Sequence, residues 1–156
     1  MRNVSLQDKI WLVVATLFGI GYAPFLGGTL ASILGMGVFL LFKSKISFFL
    51  FTLGAVVFAF VSSSIAEINF ARKDPREIVI DDFSGMLVGL LFLPPHPGLI
   101  IAAFILFRFF DAFKIYPIDR IEKLKGALGV VGDDLMAGVY TAIVIHTFRL
   151  LLKISS

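Results

Sequence analysis

The sequence contains no cysteine, one tryptophan and two histidines among its 156 residues. The absence of cysteine excludes disulfide bonds, zinc–thiolate sites and a thiol nucleophile. Charged residues are also scarce, at 16% of the chain, whereas a typical soluble domain has about 25%. The net charge of +3 is small and no run of Lys or Arg occurs, which argues against nucleic-acid binding. The chemistry that remains depends on carboxylates, hydroxyls and a few basic side chains.

Hydrophobic residues are abundant, at 58% of the chain, and the mean hydropathy is +0.97. A soluble domain of this size has too little interior to bury so much apolar surface. Six apolar segments predict helices, at residues 5–20, 29–42, 46–66, 83–93, 98–113 and 134–153. Segment 46–66 is uncharged and long enough to cross about 30 Å of hydrocarbon, whereas several others are short enough to be half-helices. The sequence therefore predicts an all-α integral membrane bundle of about six helices, forming one domain over residues 1–156.

Local signals predict how some helices start and touch. Ser5, followed three residues later by Asp8, predicts a capping box at the start of the first helix. Small residues recur at four-residue spacing, at Ala31/Gly35, Ala55/Ala59 and Gly85/Gly89. This spacing allows membrane helices to approach closely, although membrane helices are rich in small residues in general.

Acidic residues are concentrated in three short polar segments, at residues 67–82, 111–122 and 133–134, which hold ten of the eleven. Two of these segments contain an adjacent pair, Asp81–Asp82 and Asp133–Asp134, that leads into apolar sequence. Adjacent carboxylates repel one another unless a proton or a cation offsets their charge, and acids beside a bilayer usually mark function. A divalent cation such as Mg²⁺, bound by oxygen ligands, is the natural counter-ion. The pattern predicts a metal site at the membrane surface.

The order of the apolar segments predicts where this chemistry lies. If each helix reverses the chain direction, the glycine-rich segment 21–29 and all three acidic segments lie on one face of the membrane. That face carries ten acids and eight of the 14 Lys and Arg residues, and the other face carries one acid and six basic residues. We therefore expect the polar loops to gather on one face, although eight against six basic residues is too even to orient the protein.

Arg108, Asp111 and Lys114 are spaced three residues apart in an aromatic segment, so they form one polar stripe on a helix. Such a stripe is either a salt-bridged triad at the membrane interface or part of a phosphate site. In the second case Arg108 and Lys114 bind the phosphate, while Asp111 holds a metal or orients them. Asp133 has two interpretations as well, because it precedes an apolar helix and could act as its cap.

The glycine-rich segment that includes Gly27, Gly28, Thr29 and Ser32 comes directly before a predicted helix. Free backbone N–H groups at a helix start, together with the two hydroxyls, suit an anion. A tight turn between apolar helices explains the same glycines.

Several familiar motifs are absent. The chain has no Walker A sequence, no Asp-x-Asp of aspartyl-phosphate phosphatases, and no signature of the histidine-dependent lipid phosphatases. The Asp-Gly-x2-Ala-Arg box of phospholipid headgroup transferases is missing too. Carboxylates, Arg, Lys and hydroxyls remain, and this set suits metal-assisted phosphoryl chemistry.

Four blocks in order carry a family resemblance: Gly-Gly-Thr-Leu-Ala-Ser within 19–32, Ile-Val-Ile-Asp-Asp-Phe-Ser-Gly within 74–86, Arg-Phe-Phe-Asp-Ala-Phe-Lys within 107–117, and Gly-Asp-Asp-Leu-Met-Ala-Gly within 126–138. Together they span about residues 19–140, and at these residues the chain resembles the phosphatidylglycerophosphatase A family. Asp82 stands where the family usually has Glu, and Ile115 replaces a Pro. Asp82 keeps the charge on a shorter side chain, so the departure bears on metal preference more than on reaction class.

The resemblance implies Mg²⁺-dependent hydrolysis of the terminal phosphomonoester of phosphatidylglycerophosphate, a step of phospholipid biosynthesis. It implies a multi-pass protein of the inner (cytoplasmic) membrane whose active-site face is cytosolic and whose partners are the membrane and its lipid substrate. The expected metal ligands are Asp81, Asp82, Asp111, Asp133 and Asp134, of which Asp82, Asp111 and Asp134 are expected to be catalytic. The expected phosphate ligands are Arg108, Lys114, Gly27, Gly28, Thr29 and Ser32.

Three alternatives differ in what they predict. A small helical transport or ion-coupling protein would line a path through the bilayer with its acids, whereas the acids here fall between helices on one face. A catalytically inactive relative would have lost charged positions that this chain keeps. A phosphatase for another lipid phosphate, such as phosphatidate, has the same chemistry, and it differs only in the headgroup.

Overall fold

The computed structural model describes residues 5–151, and over that range the chain forms seven α-helices and one 3₁₀ turn, without a β-strand. The elements in chain order are α1 (Leu6–Ala15), the 3₁₀ turn (Ile20–Tyr22), α2 (Gly27–Leu41), α3 (Lys45–Phe70), α4 (Ile80–Gly89), α5 (Pro97–Phe113), α6 (Ile118–Ile121) and α7 (Ala127–Leu151). The all-α prediction is confirmed. The predicted end of the last helix at residue 153 lies outside the described residues.

The start of α1 follows the sequence signal. The Ser5 hydroxyl accepts a hydrogen bond from the Asp8 N–H at 3.0 Å, and the Ser5 N–H donates to the Asp8 carboxylate at 3.3 Å. The helix ends at Ala15 instead of residue 20, because Leu17 and Phe18 adopt left-handed backbone angles and Gly19 has a φ of 94°. The segment predicted as the end of the helix is therefore a turn.

Two helices begin earlier in the chain than predicted, so that their acid pairs lie inside them. α4 starts at Ile80 rather than residue 83 and ends at Gly89 rather than 93, so Asp81 and Asp82 lie in its first turn. α7 starts at Ala127 rather than residue 134 and carries its acid pair in the second turn, so Asp133 is not its cap. Gly129 and Gly132, before the pair, lie inside this helix. The preceding chain packs closely on Gly129, since a Cβ there would lie 2.4 Å from the Leu124 carbonyl oxygen.

α4 is the central helix and contacts α2, α3, α5 and α7. Its contact with α7 depends on glycines, as the small-residue spacing predicts. A Cβ on Gly138 would lie 2.3 Å from the Gly85 carbonyl oxygen, and a Cβ on Gly85 would lie 2.6 Å from that of Asp134. The two backbones therefore touch, which brings the acid pairs of α4 and α7 next to each other.

Two of the described helices are long and apolar enough to cross a membrane: α3, with 26 residues and a mean hydropathy of 2.2, and α7, with 25 residues and 1.6. At 1.5 Å per residue, helices of this length exceed the roughly 30 Å of a hydrocarbon core. The outer surface of α3 is apolar, with Leu50, Leu53 and Phe58 more than half exposed. α4, with ten residues, is too short to cross.

Candidate active site

A cavity of about 350 Å³ lies at one end of the bundle, where α2, α4, α5 and α7 meet the loop before α4. Its wall is formed by Ala23, Phe25, Gly27, Gly28, Asp74, Arg76, Ile78, Val79, Asp81, Asp82, Arg108, Asp111, Lys114, Val130, Asp133 and Asp134. All three acidic segments and the glycine-rich segment contribute to it, so the predicted convergence is confirmed. The Lys43–Lys45 turn lines a different cavity, together with Pro95.

Three carboxylates form a cluster on the cavity floor. Asp81, Asp82 and Asp134 each offer an oxygen atom, and these three atoms lie within 4.8 Å of one another. Asp81 and Asp134 are only 6% and 5% exposed, and no basic side chain in residues 5–151 forms an ion pair with either. We refer to these three residues as the acid cluster.

The electrostatics of the acid cluster favour a cation. Burial raises the pKa of Asp81 well above its ordinary value, and the neighbouring Asp82 carboxylate raises it further. Burial also raises the pKa of Asp82, to about 6, although Arg108 opposes the shift. Packed carboxylates with too little positive charge are stabilised by a proton or a cation. An all-oxygen donor set of this kind fits a hard divalent ion such as Mg²⁺.

The other two predicted metal ligands contact basic side chains instead. Asp133 pairs with Lys114, which also lies 3.2 Å from Glu122. Asp111 lies 3.2 Å from the Arg108 guanidinium, which also pairs with Asp82. Of the five predicted ligands, Asp111 and Asp133 therefore lie outside the acid cluster and pair with the cations, whereas Asp82 belongs to the cluster and also pairs with Arg108.

Helix α5 positions both cations. Arg108 and Asp111 lie three residues apart in its last turns, and Lys114 is its C-cap, with a left-handed φ of 44°. Burial lowers the pKa of Lys114, but its hydrogen bond to Asp133 and the nearby acids outweigh this effect and raise the pKa above its ordinary value. The amine therefore stays charged. The salt bridge of the first interpretation is present between Arg108 and Asp111, and both cations line the cavity, as the second interpretation requires.

The glycines at the start of α2 line the cavity beside the acid cluster. No side chain caps this helix start, and Gly27 and Gly28 form part of the cavity wall. A Cβ on Gly28 would lie 2.3 Å from Asp82 Oδ2, so only glycine allows this approach. A helix start without a side-chain cap presents backbone N–H groups to an anion.

The two hydroxyl residues of this segment, which were predicted as phosphate ligands, are not brought into the cavity wall. Neither Thr29 nor Ser32 forms part of the cavity wall. Ser32 is fully buried, and its hydroxyl donates to the Gly28 carbonyl oxygen at 2.9 Å. Because Ser32 lies one turn inside α2, its hydroxyl bonds to a carbonyl oxygen of the same helix and does not face the cavity.

Asp74 and Arg76 were missed as site residues, although both belong to the first acidic segment and to a block that resembles the family. Their loop has no helical or strand periodicity, so sequence reasoning had no means of orienting it. The signal that could have found them was their position in the same polar segment as the Asp81–Asp82 pair.

Comparison with known proteins covers nearly the whole chain. The family model described as Phosphatidylglycerophosphatase A matches residues 13–149. The phosphatidylglycerophosphatase A of Haemophilus influenzae is 34% identical over 154 residues, which cover 96% of this chain and 94% of that protein. The phosphatidylglycerophosphatase A of Escherichia coli K12 is 28% identical over 141 residues, covering 87% and 81%.

A third relative carries a different name. A Bacteroides thetaiotaomicron protein, provisionally named phosphatidylinositol-3-phosphatase, is 34% identical over 147 residues, covering 88% of this chain and 92% of that protein. No solved structure shows significant similarity. The matched residues include the acid cluster, both cations and the glycine segment. The chain belongs to the phosphatidylglycerophosphatase A family.

Proposed function

We propose that this protein hydrolyses the terminal phosphomonoester of phosphatidylglycerophosphate, releasing phosphatidylglycerol and phosphate. Family membership supports the reaction and the substrate class. The observation that carries the proposal is the buried acid cluster next to two cations in one cavity, since phosphoryl transfer requires positive charge around the phosphate.

Asp81, Asp82 and Asp134 would hold the metal ion, for which Mg²⁺ is our proposal. When bound, such an ion neutralises phosphate charge and lowers the pKa of a coordinated water. Asp111 and Asp133 have a different role, because they hold Arg108 and Lys114 in place. This division assigns roles to five of the six aspartates in the cavity wall.

Arg108 and Lys114 would bind the phosphoryl oxygens. The Arg108 guanidinium has five N–H donors, and the two carboxylates beside it leave donors for a phosphate. Lys114 stays charged and can offer a further donor. The backbone N–H groups of Gly27 and Gly28 would add two more from the start of α2. Arg108 also contacts Asp82, so one residue links the anion site to the acid cluster.

We place the protein in the cytoplasmic membrane as a multi-pass protein with the cavity on the cytosolic face. α3 and α7 supply the candidate crossings, and the cavity is lined by the first turns of α7 and by the loop that follows α3. A Cβ on Gly126, just before α7, would lie 3.8 Å from the Glu67 carboxylate near the end of α3, so these two helix ends adjoin. In this arrangement the cavity lies at the end of both crossings, where a lipid headgroup would meet it at the membrane surface.

The transport alternative is disfavoured by the packing below the cavity. Met86, Leu87 and Leu90 are completely buried in and just after α4, directly beyond its acids. A path for ions would have to cross this apolar layer, and the acids of the cavity all lie on one side of it.

The test is phosphate release by purified, detergent-solubilised protein in mixed micelles that contain phosphatidylglycerophosphate or phosphatidate, with Mg²⁺ or with EDTA. We expect metal-dependent turnover that is faster on phosphatidylglycerophosphate. Equal turnover of both lipids would keep the phosphatase chemistry and widen the substrate class. No release by folded, metal-loaded protein would refute the proposal. Asp119→Asn, which alters an acid outside the cavity, is the control for Asp134→Asn.

A further inference from the structure

Three basic side chains line the cavity: Arg76, Arg108 and Lys114. Arg108 and Lys114 each form ion pairs with two acids. Arg76 is exposed, and within the part of the chain that the structure describes it forms no ion pair. Nearby Arg72, by contrast, pairs with Glu77 at 2.8 Å. Arg76 is therefore the cavity cation that no acid within residues 5–151 holds in an ion pair.

The backbone that carries Arg76 is held in place. The Ile78 N–H donates to the Pro75 carbonyl oxygen at 2.8 Å, which closes a turn with Arg76 inside it, and both ends of this turn are buried. The turn also packs on the 3₁₀ segment, since a Cβ on Gly21 would lie 1.9 Å from the Glu77 carbonyl oxygen. The neighbouring Val79 N–H donates a hydrogen bond to the carbonyl oxygen of Ala15, the last residue of α1, at 3.0 Å. Arg76 is thus presented from a fixed turn.

The cavity has a buried floor and an exposed rim. Asp81 and Asp134 on the floor are 6% and 5% exposed, whereas Phe25 on the wall is 95% exposed and Arg76 is exposed as well. A phosphomonoester held at the floor leaves the remainder of its lipid to exit past the rim. An exposed phenyl ring and an exposed guanidinium at this position suit an apolar glycerolipid and a second anionic group.

We infer that Arg76 binds the phosphodiester that joins the headgroup to diacylglycerol, and that it thereby selects lipids whose phosphomonoester lies on the headgroup. Phosphatidylglycerophosphate contains this diester one glycerol away from the phosphate to be removed, whereas phosphatidate contains only the monoester. Arginine binds phosphate through parallel N–H donors. The inference rests on the proposed function and names the group that determines its substrate preference.

The diester is chemically unchanged during the reaction, so a contact with it strengthens binding of the ground state and the transition state alike. Its loss should therefore raise KM and leave kcat nearly unchanged. A residue needed only for folding would lower kcat for every substrate, and a residue that touches the reacting phosphate would lower kcat in particular. The split between KM and kcat separates these roles.

The experiment compares the wild type with Arg76→Gln, Arg76→Lys and the matched control Arg72→Gln, which removes the same charge from the same loop outside the cavity. Rates are measured on phosphatidylglycerophosphate and phosphatidate at a fixed ratio of lipid to detergent. For Arg76→Gln we expect KM for phosphatidylglycerophosphate to rise about 10- to 100-fold, with kcat within about twofold of the wild type. Turnover of phosphatidate should change little, Arg76→Lys should recover part of the loss, and Arg72→Gln should behave as the wild type.

Equal losses on both lipids, no loss on either, or the same loss in Arg72→Gln would each overturn the assignment of Arg76. In all three cases the wild type still hydrolyses phosphatidylglycerophosphate, so the proposed function survives. A wild-type protein that releases no phosphate from this lipid refutes the proposed function itself, and the role of Arg76 falls with it.

Discussion

Substitution of Gly28 by alanine tests whether the start of α2 sets the position of the acid cluster. The new methyl carbon would lie 2.3 Å from Asp82 Oδ2 and 2.6 Å from Oδ1. Contact between a methyl group and an oxygen requires a separation nearer to about 3.4 Å, so the carboxylate must move by roughly 1 Å. Asp82 is also bonded to Arg108, which must follow or lose the contact.

The expected loss is in activity more than in stability. A displacement of about 1 Å in the geometry of an active site costs on the order of 100-fold in rate. The carboxylate is the end of a short side chain that can rotate, so the cost in the free energy of unfolding should stay at or below about 1–3 kcal/mol, the usual range for an overpacked site. Gly28→Ala should therefore lower kcat about 100-fold and raise the Mg²⁺ concentration needed for half-maximal activity.

Gly37→Ala is the matched control, because Gly37 lies in the same helix and a Cβ there meets nothing within 4 Å. It should leave kcat and the Mg²⁺ requirement unchanged, and it should stabilise α2 by at most about 1 kcal/mol. Both variants are assayed for phosphate release across a Mg²⁺ titration, and thermal unfolding in detergent confirms that they fold. A Gly28→Ala protein with wild-type kcat and an unchanged Mg²⁺ midpoint would refute the reasoning.

Three further predictions concern the acid cluster and its scaffold. Asp134→Asn should lower kcat by about 100-fold or more while the protein still folds; near-normal turnover would remove this residue from the site. Gly138→Ala would place a methyl carbon 2.3 Å from the rigid Gly85 carbonyl oxygen. It should lower the free energy of unfolding by about 1–3 kcal/mol, whereas Gly54→Ala, with nothing within 4 Å of its Cβ, should not. Because the pKa of Asp82 is raised to about 6 in the folded protein, the metal-free form takes up protons and gains stability as pH falls through about 6 toward 4, and loses that stability as pH rises. Mg²⁺ should therefore raise Tm more at about pH 7.5 than at about pH 5, and equal shifts would count against the acid cluster as the metal site.

The sequence was sufficient to predict the helices and the end of the bundle at which the polar loops meet. An apolar chain must bury its hydrophobic segments, and each helix reverses the chain direction. Long hydrophobic segments separated by polar ones predict helices that turn back at each loop. This was enough to place the three acidic segments and the glycine segment at one end of the bundle, as the cavity confirms. The helix starts were predicted less well. Asp81–Asp82 and Asp133–Asp134 were expected at or before the helix starts because carboxylates are costly inside apolar helices, yet both pairs lie within helices.

The residue types of the site, and the end of the bundle where they meet, were determined by the sequence alone, since these follow from composition and from the order of the segments. The tertiary structure decided which of the five predicted acids cluster together and which lie outside that cluster beside a basic side chain. The close crossing of α4 and α7 at Gly85 and Gly138 brings Asp82 next to Asp134, while the end of α5 brings cations to Asp111 and Asp133. Charge pairing depends on distances of a few ångströms between segments that are far apart in the chain. Only the packing of the helices sets those distances.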